Sequence, residues 1–547
     1  MITNFKIDNY WIIALCILLG PLSSFAQELT DQEIGFNMEQ AIAKLKERGL
    51  TDPQELNWEI QSMRERQTSE YFLIKKIENE ILQNINLQQN PKGVLLKVAA
   101  DIPQLEKDAL LALYNSTNGS GWTKKTGWDF TTPVITGSGT MGWYGVTVSN
   151  GHIISLTLRS NNLIGSLPKE MAELKYLNSM DLSNNQLTGS IASEIGQLEN
   201  LTVLNLEYNI LTNIPPEIGQ LKKLQFLSLA NNKLTGTIPA EIGMLENLTS
   251  LNLGSIKLNY NNLIGGIPKE IGLLKKLQVL NLGFNNNLGG TIPTDIWDLT
   301  QIKNLTLKYL GLSGTLPSEI RQISEAVILN LENNKLTGAI PPEIGSLSKL
   351  SSLYLNYNQF TGSIPIEITR LADLNELYLN NNKLAGSIPK EIGQLSNLSY
   401  LDLGSNQLAG SVPSEINNLT KLSQLSLSTN LLEGKIPDLT NLPLKCRIRV
   451  QYEKFRFIDF APQFISTNKD IVYRYQALID EPKTITGVIG GHITMTMYED
   501  NNYLPEETFQ WYKGSTIIPN AITRQYTITN VTKADAAAII ASPDILY

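Results

Sequence analysis

The chain has 547 residues, more than one hydrophobic core usually serves, so it needs several cores or one that repeats. Hydrophobic residues make up 42 % and charged residues 18 %, a globular composition that excludes a chain without a packed interior. A formal net charge of -8 with no basic stripe repels phosphate backbones and excludes nucleic acid as the main partner.

In chain order, the first element is an export signal. Lys6 precedes an apolar run from Trp11 to Leu19, too short to span a bilayer, and Gly20-Pro21 ends it. Ser24-Phe25-Ala26 then offers small residues at the positions a signal peptidase reads, so residues 1–26 read as a signal peptide cut after Ala26. The competing reading is an uncleaved anchor. No later segment approaches the roughly 20 apolar residues of a membrane helix, so no integral membrane segment is expected after signal removal. The location implied is extracellular, secreted or at the cell surface. Of the two cysteines Cys16 lies in the signal, leaving Cys446 without an internal partner, as a reactive thiol or a small buried apolar side chain.

Residues 27–100 form a helical region. Asp31 starts a helical pattern that runs to Gly49, Asp52-Pro53 opens a second helix, and Ser69 to Gln88 reads as a third. This predicts a small hairpin or bundle, packed on the segment that follows.

Residues 152–445 repeat. Leu377-Tyr378-Leu379-Asn380-Asn381-Asn382-Lys383-Leu384-Ala385-Gly386-Ser387-Ile388-Pro389 is followed by Leu401-Asp402-Leu403-Gly404-Ser405-Asn406-Gln407-Leu408-Ala409-Gly410-Ser411-Val412-Pro413. The frame is LxLxxNxLxGxIP, and its asparagine falls at Asn161, Asn185, Asn209, Asn232, Asn261, Asn285, Asn334, Asn358, Asn382, Asn406 and Asn430, with Leu310 in the remaining slot. From Leu310 to Asn430 every step is 24 residues, giving about twelve copies. In LxL both leucines face one side of a strand and the residue between them faces the other. The asparagine amide can bond backbone groups left open where the chain turns off the strand, and stacked copies predict a ladder. One unit cannot bury its own apolar edge, whereas a stack buries a continuous core. The step from Asn232 to Asn261 is 29 residues, which predicts about five extra residues bulging near Gly254 and disturbing the sheet locally.

With its LxGxIPxEIGxLxxL form the repeat resembles the plant-type class of leucine-rich repeats, found in receptor ectodomains and in many exported bacterial proteins. The resemblance covers roughly residues 101–445. It implies an α/β solenoid with a parallel sheet on a concave side and short helices outside.

Residues 101–151 are similar to the amino-terminal cap of that class, with a helix over Asp108 to Tyr114 and with Trp122, Trp128 and Trp143 as filling. Met141 and Val148 stand near the places where plant relatives carry cysteines, so packing alone holds this cap. Residues 446–475 read as a carboxy-terminal cap or linker. Residues 476–547 resemble a partial immunoglobulin-like β-sandwich, with Trp511 as its core tryptophan and Ala537, Ile539 and Ala541 where the family has Gly-x-Tyr-x-Cys. The sequence as read stops before a final strand of that family and shows no sorting segment.

Chemistry is sparse. His152 and His492, the whole histidine inventory, lie far apart, which disfavours a triad or a metal–histidine site. Gly137 to Gly142 fits GxGxxG as a string but lacks a βαβ context. The recurrent glutamates Glu217, Glu241, Glu270, Glu343, Glu391 and Glu415 favour the start of a short helical turn, a reading preferred to a catalytic pair. No catalytic residue, metal or cofactor is expected.

On the implied concave face, Tyr354, Asn356, Tyr357, Glu376, Tyr378, Asn380 and Tyr400 occupy strand positions that stack from repeat to repeat. A tyrosine pairs a large apolar ring with one hydroxyl, which suits recognition of protein or sugar, although β propensity alone also places it on exposed sheets. Tyr208, Tyr260, Phe284 and Tyr309 form a second group. The expected function is non-catalytic recognition or adhesion through that face, with a protein or glycan partner. The alternatives are a polysaccharide-acting enzyme, an enzyme inhibitor or a structural spacer.

Overall fold

A computed structural model describes residues 38–47, 53–89, 102–130, 142–255 and 261–450 apart from 435 and 438, together with the backbone of six strands between 471 and 544. The signal peptide, the helix start at Asp31, Met141, Tyr260 and most of the tail lie outside these residues. The chain divides into two compact units, residues 1–337 with 346–358 and residues 338–345 with 359–547.

In the first unit, α1 spans Met38–Glu47, α2 spans Pro53–Gln89 and α3 spans Gln104–Ser116. The break expected before Ser69 does not exist, and α2 is one helix of 37 residues. No glycine interrupts it and its one proline, Pro53, stands at its first position, where proline is tolerated. Thr68, just before the expected start at Ser69, donates its hydroxyl to the Arg64 carbonyl at 2.9 Å and stays within the helix. Ala41 and Leu45 of α1 pack with Ile60 of α2.

The cap is held by aromatic packing. Trp122, Trp128 and Trp143 are buried, and the Trp122–Trp128 and Phe130–Trp143 ring centres are 4.7 Å and 4.8 Å apart. Trp122 and Trp128 donate their indole N–H to the Thr117 and Tyr144 carbonyls. β1 (Val146–Ser149) and β2 (His152–Thr157) form an antiparallel hairpin through Asn150-Gly151, both at positive φ, as the primed turn requires. Glu106 of α3 clamps the start of β2: it accepts the Ile153 N–H at 2.7 Å and lies 2.6 Å from His152 Nδ1.

Each repeat then adds one parallel strand: β3 (Ser179–Asp181), β4 (Val203–Asn205), β5 (Phe226–Ser228), β6 (Ser250–Asn252), β7 (Val279–Asn281), β8 (Asn304–Thr306), β9 (Ile328–Asn330) and β10 (Ser352–Tyr354). Leu227, Leu251, Leu280, Leu305, Leu329 and Leu353 stand in direct register and are fully buried. At the ladder position, Asn334 Oδ1 accepts the N–H groups of Leu310 and Leu312, while its Nδ2 donates to the Leu307 and Leu331 carbonyls, both at 2.9 Å. One amide thereby satisfies four backbone groups that no strand or helix pairs.

The sheet is not disturbed at the 29-residue step. β6 pairs in register with both neighbours, and Ser255 N–H still reaches the Gly283 carbonyl at 2.8 Å. Asn261 returns to the ladder by donating to the Leu253 and Leu229 carbonyls, so the extra length falls between Ser255 and Asn261. Behind the strands short 3₁₀ turns form, and where they carry EIG the glycine is a spacing residue. A Cβ on Gly219 would stand 2.3 Å from the Glu241 carbonyl oxygen of the next repeat.

In the second unit β11 (Glu376–Tyr378), β12 (Tyr400–Asp402), β13 (Gln424–Ser426), β14 (Arg447–Arg449) and β15 (Ile471–Val472) continue the parallel pattern. Cys446 is fully buried just before β14, the setting of a small apolar side chain. Beyond it the pairing becomes antiparallel. β16 (His492–Thr496) pairs with β19 (Gln525–Thr529), and β17 (Thr508–Lys513) pairs with β18 (Thr516–Ile517) and β20 (Ile539–Asp544).

Candidate functional site

Because the frame leucines point into the core, the residue between them and the residue after them point to the opposite face of the sheet. In the first unit α2 lies on that face. Arg66 donates to Glu332 at 2.7 Å, and the two side chains are 8 % and 4 % exposed. Glu70 accepts the Asn330 amide at 2.7 Å and pairs with Lys308. Glu78 accepts the Asn252 amide at 3.1 Å and Lys75 Nζ at 3.0 Å, and Lys75 also faces Glu207 at 3.9 Å.

The spacing explains the fit. Arg66, Glu70 and Glu78 lie four and eight residues apart, on one stripe of a helix with Lys75 beside it. Arg66 meets the segment after β9, and Glu70 meets β9 and the segment after β8, whereas Glu78 and Lys75 meet β6 and the segment after β4. The helix therefore crosses the strands and runs against the order of the repeats. The sequence seats this region on the cap; the charged stripe of α2 finds its partners on the sheet. Ala230 and Gly254 keep the wall low beneath the helix. A cleft open to solvent remains between Tyr71 and Lys75 on one side and Tyr208, Gly254 and Thr306 on the other.

The electrostatics follow from burial. Burial pulls the Lys75 ammonium down, but Glu207 and Glu78, with Tyr71, outweigh it and hold Lys75 well above its ordinary value. Burial and then the Glu332 carboxylate push the Tyr309 phenol up. On the same face of β3, burial raises Asp181, against hydrogen bonds from Ser183.

The tyrosine group sits differently from expectation. Tyr354 and Asn356 are fully buried and Tyr357 nearly so, all in the first unit. In the second unit Glu376, Tyr378 and Asn380 are buried and Tyr400 is half-buried. There Glu376 stands directly opposite Tyr400, whose ring lies 6.5 Å from that of Tyr378. Of the second group, Phe284 and Tyr309 stack at 4.5 Å, both with a left-handed backbone at the position just before the ladder slot.

Sequence reasoning missed Glu207, Lys308 and Glu332. The available signal was a charge at the position after the second frame leucine, where neighbouring repeats carry Ala230, Gly254 and Gly283.

The leucine rich repeat family profiles match residues 152–211, 199–258 and 324–384, and again 276–299 and 397–419. The chain is a leucine-rich-repeat protein. This leucine-rich-repeat protein is similar to the solved structure of a TDR receptor at 32 % identity, with 59 % of this chain and 56 % of that chain covered and a TM-score of 0.55. A plant peptide hormone receptor in complex with RGF2 shares 30 % identity over 58 % of this chain and 55 % of its own, with a TM-score of 0.44. An LRR protein of Leptospira interrogans shares 37 % over 57 % of this chain and 76 % of its own, with a TM-score of 0.45. The leucine-rich-repeat protein thus spans a little over half of each of the two receptors. No curated protein matches it.

Among the described residues no helix is long and apolar enough to cross a membrane, and no group of three or more His, Cys, Asp or Glu side chains could hold a metal ion. His152, tied to Glu106 and stacked on Tyr176 at 3.7 Å, is committed to the cap.

Proposed function

We propose that this leucine-rich-repeat protein is a non-catalytic recognition or adhesion protein, exported or at the cell surface, that binds a protein or glycan partner through the sheet face turned away from its leucines. One observation carries the reading. That face, in the first unit, already grips a helix through the Arg66–Glu332, Lys308–Glu70 and Asn252–Glu78 contacts, which is recognition chemistry. Similarity to a TDR receptor supports it, as does the signal-like start of the sequence. In the second unit the proposed contact residue is Tyr400, whose ring is partly open beside Tyr378, Glu376 and Asn380. In the first unit Tyr354, Asn356 and Tyr357 hold the corresponding places. For the tail an immunoglobulin-like arrangement is proposed, supported by the antiparallel pairing of the Trp511 strand with 539–544 and of 492–496 with 525–529.

Affinity capture from extracellular extracts tests this with four full chains: wild type, Glu241→Lys on the 3₁₀ side, Glu207→Lys and Tyr400→Ala. One partner retained by the first two and lost with either sheet-face variant supports the reading. Equal recovery by all four removes it, and release of reducing sugar from polysaccharides would contradict the non-catalytic part.

A further inference from the structure

We propose that α2 is a built-in occupant of the recognition face, and that the partner this face takes in its place is another α-helix carrying the same order of charges. The inference rests on the recognition reading above and names the class of ligand for it.

Three features of the seam support it. First, the charges form a code. Along the sheet Glu207, Lys308 and Glu332 read minus, plus, minus, and the helix answers with Lys75, Glu70 and Arg66 in the reverse chain order. A helix with the signs exchanged would place like charges together, which gives selectivity. Second, the hydrogen bonds and ion pairs across the seam are made by charged and amide groups, which water can satisfy once the surfaces part, and they stand beside the buried apolar residues Phe226, Val279 and Ile328 of the same sheet face. The leucines that build the repeat core point away from α2, and their register runs unbroken through β5 to β10 beneath it. Removing the helix therefore uncovers a wall that is already assembled. Third, α2 stays tethered when it leaves. It remains part of the same chain, so its effective concentration at the face exceeds that of a free helix. An external helix must outcompete that local supply, so the face is selective for a matching helix rather than permanently open.

The probe is a fluorescein-labelled synthetic peptide of residues 53–89, titrated into the full chain by anisotropy. Wild type and an Arg66→Glu/Glu70→Lys chain are compared, and circular dichroism confirms that both are folded. The expected result is binding to the disarmed chain with an apparent Kd at least tenfold below that of wild type, and no binding of a peptide bearing the same two reversals. A milder chain, Lys75→Ala/Glu78→Gln, is expected to fall between the two and serves if the first variant does not fold. Equal Kd values for wild type and either folded variant would overturn the proposal, as would indifference to the reversed peptide. Those outcomes leave the recognition reading standing, because that reading falls on the extract experiment alone.

Discussion

Arg66 and Glu332 stand 266 residues apart in sequence and 2.7 Å apart in the fold, with both side chains almost completely removed from water. A pair so placed is sensitive to losing one member, because the survivor is left as an uncompensated buried charge. Arg66→Glu and Glu332→Arg are each expected to loosen α2, and the double exchange to restore it. Urea unfolding of the four chains is expected to give a coupling energy of about 1–3 kcal/mol.

The ladder predicts a larger effect than one side-chain bond. In Asn334→Leu the N–H groups of Leu310 and Leu312 and the Leu307 carbonyl lose this partner together, while the Leu331 carbonyl keeps the Asn358 amide. At about 1–3 kcal/mol for each unsatisfied buried group, partly relieved by relaxation, the loss is expected to reach roughly 3 kcal/mol. Thermal unfolding against Asn287→Leu, an exposed asparagine outside the ladder, is the comparison.

Gly219 and Gly151 separate space from conformation. Gly219→Ala forces a methyl group to 2.3 Å from a backbone oxygen, while Gly151→Ala meets nothing within 4 Å but keeps a φ of +79°. The first is expected to cost about 3 kcal/mol through displaced backbone, the second about 1 kcal/mol through left-handed strain. Unfolding midpoints in denaturant decide the order.

Lys75 and Tyr309 set an alkaline limit. Both are raised in the folded protein, so the folded state holds their protons more tightly than the unfolded chain. Their contribution is complete below the ordinary values of 10.5 and 10.0 and is lost as pH rises through the higher folded values. The melting temperature is expected to drop between pH 10 and 11.5, and to drop less in Lys75→Met. Asp181 is also raised, by burial, so its favourable contribution is already lost at neutral pH. Asp181→Asn is expected to melt slightly higher than wild type at pH 7 and to converge with it below pH 3.

The repeats were legible because their determinants are local and periodic. Leucine alternation, the turn asparagine and the glycines act within one unit and recur 24 residues later. The seat of α2 left no such trace: Arg66 meets Glu332, and Glu78 meets Asn252, at unrelated separations. Ser69 reads as the start of a third helix because serine favours caps, whereas the helix runs unbroken from Pro53 to Gln89. Tyr354, Tyr378 and Tyr400 lie in strands while Tyr357 lies past its strand with a left-handed backbone, and how deeply each is buried is not encoded by a frame position. The even register through Ser255 had no signal either, since a 29-residue step does not say where the surplus is placed.

Hydrogen exchange on the full chain tests the central claim most directly, by following the amides of residues 66–78 in wild type and in Glu207→Ala/Glu332→Ala. The account predicts that these amides lose protection at least tenfold in the variant while the strands around Leu305 and Leu329 keep theirs. Unchanged protection of the helix, or equal loss in helix and strands, would contradict it.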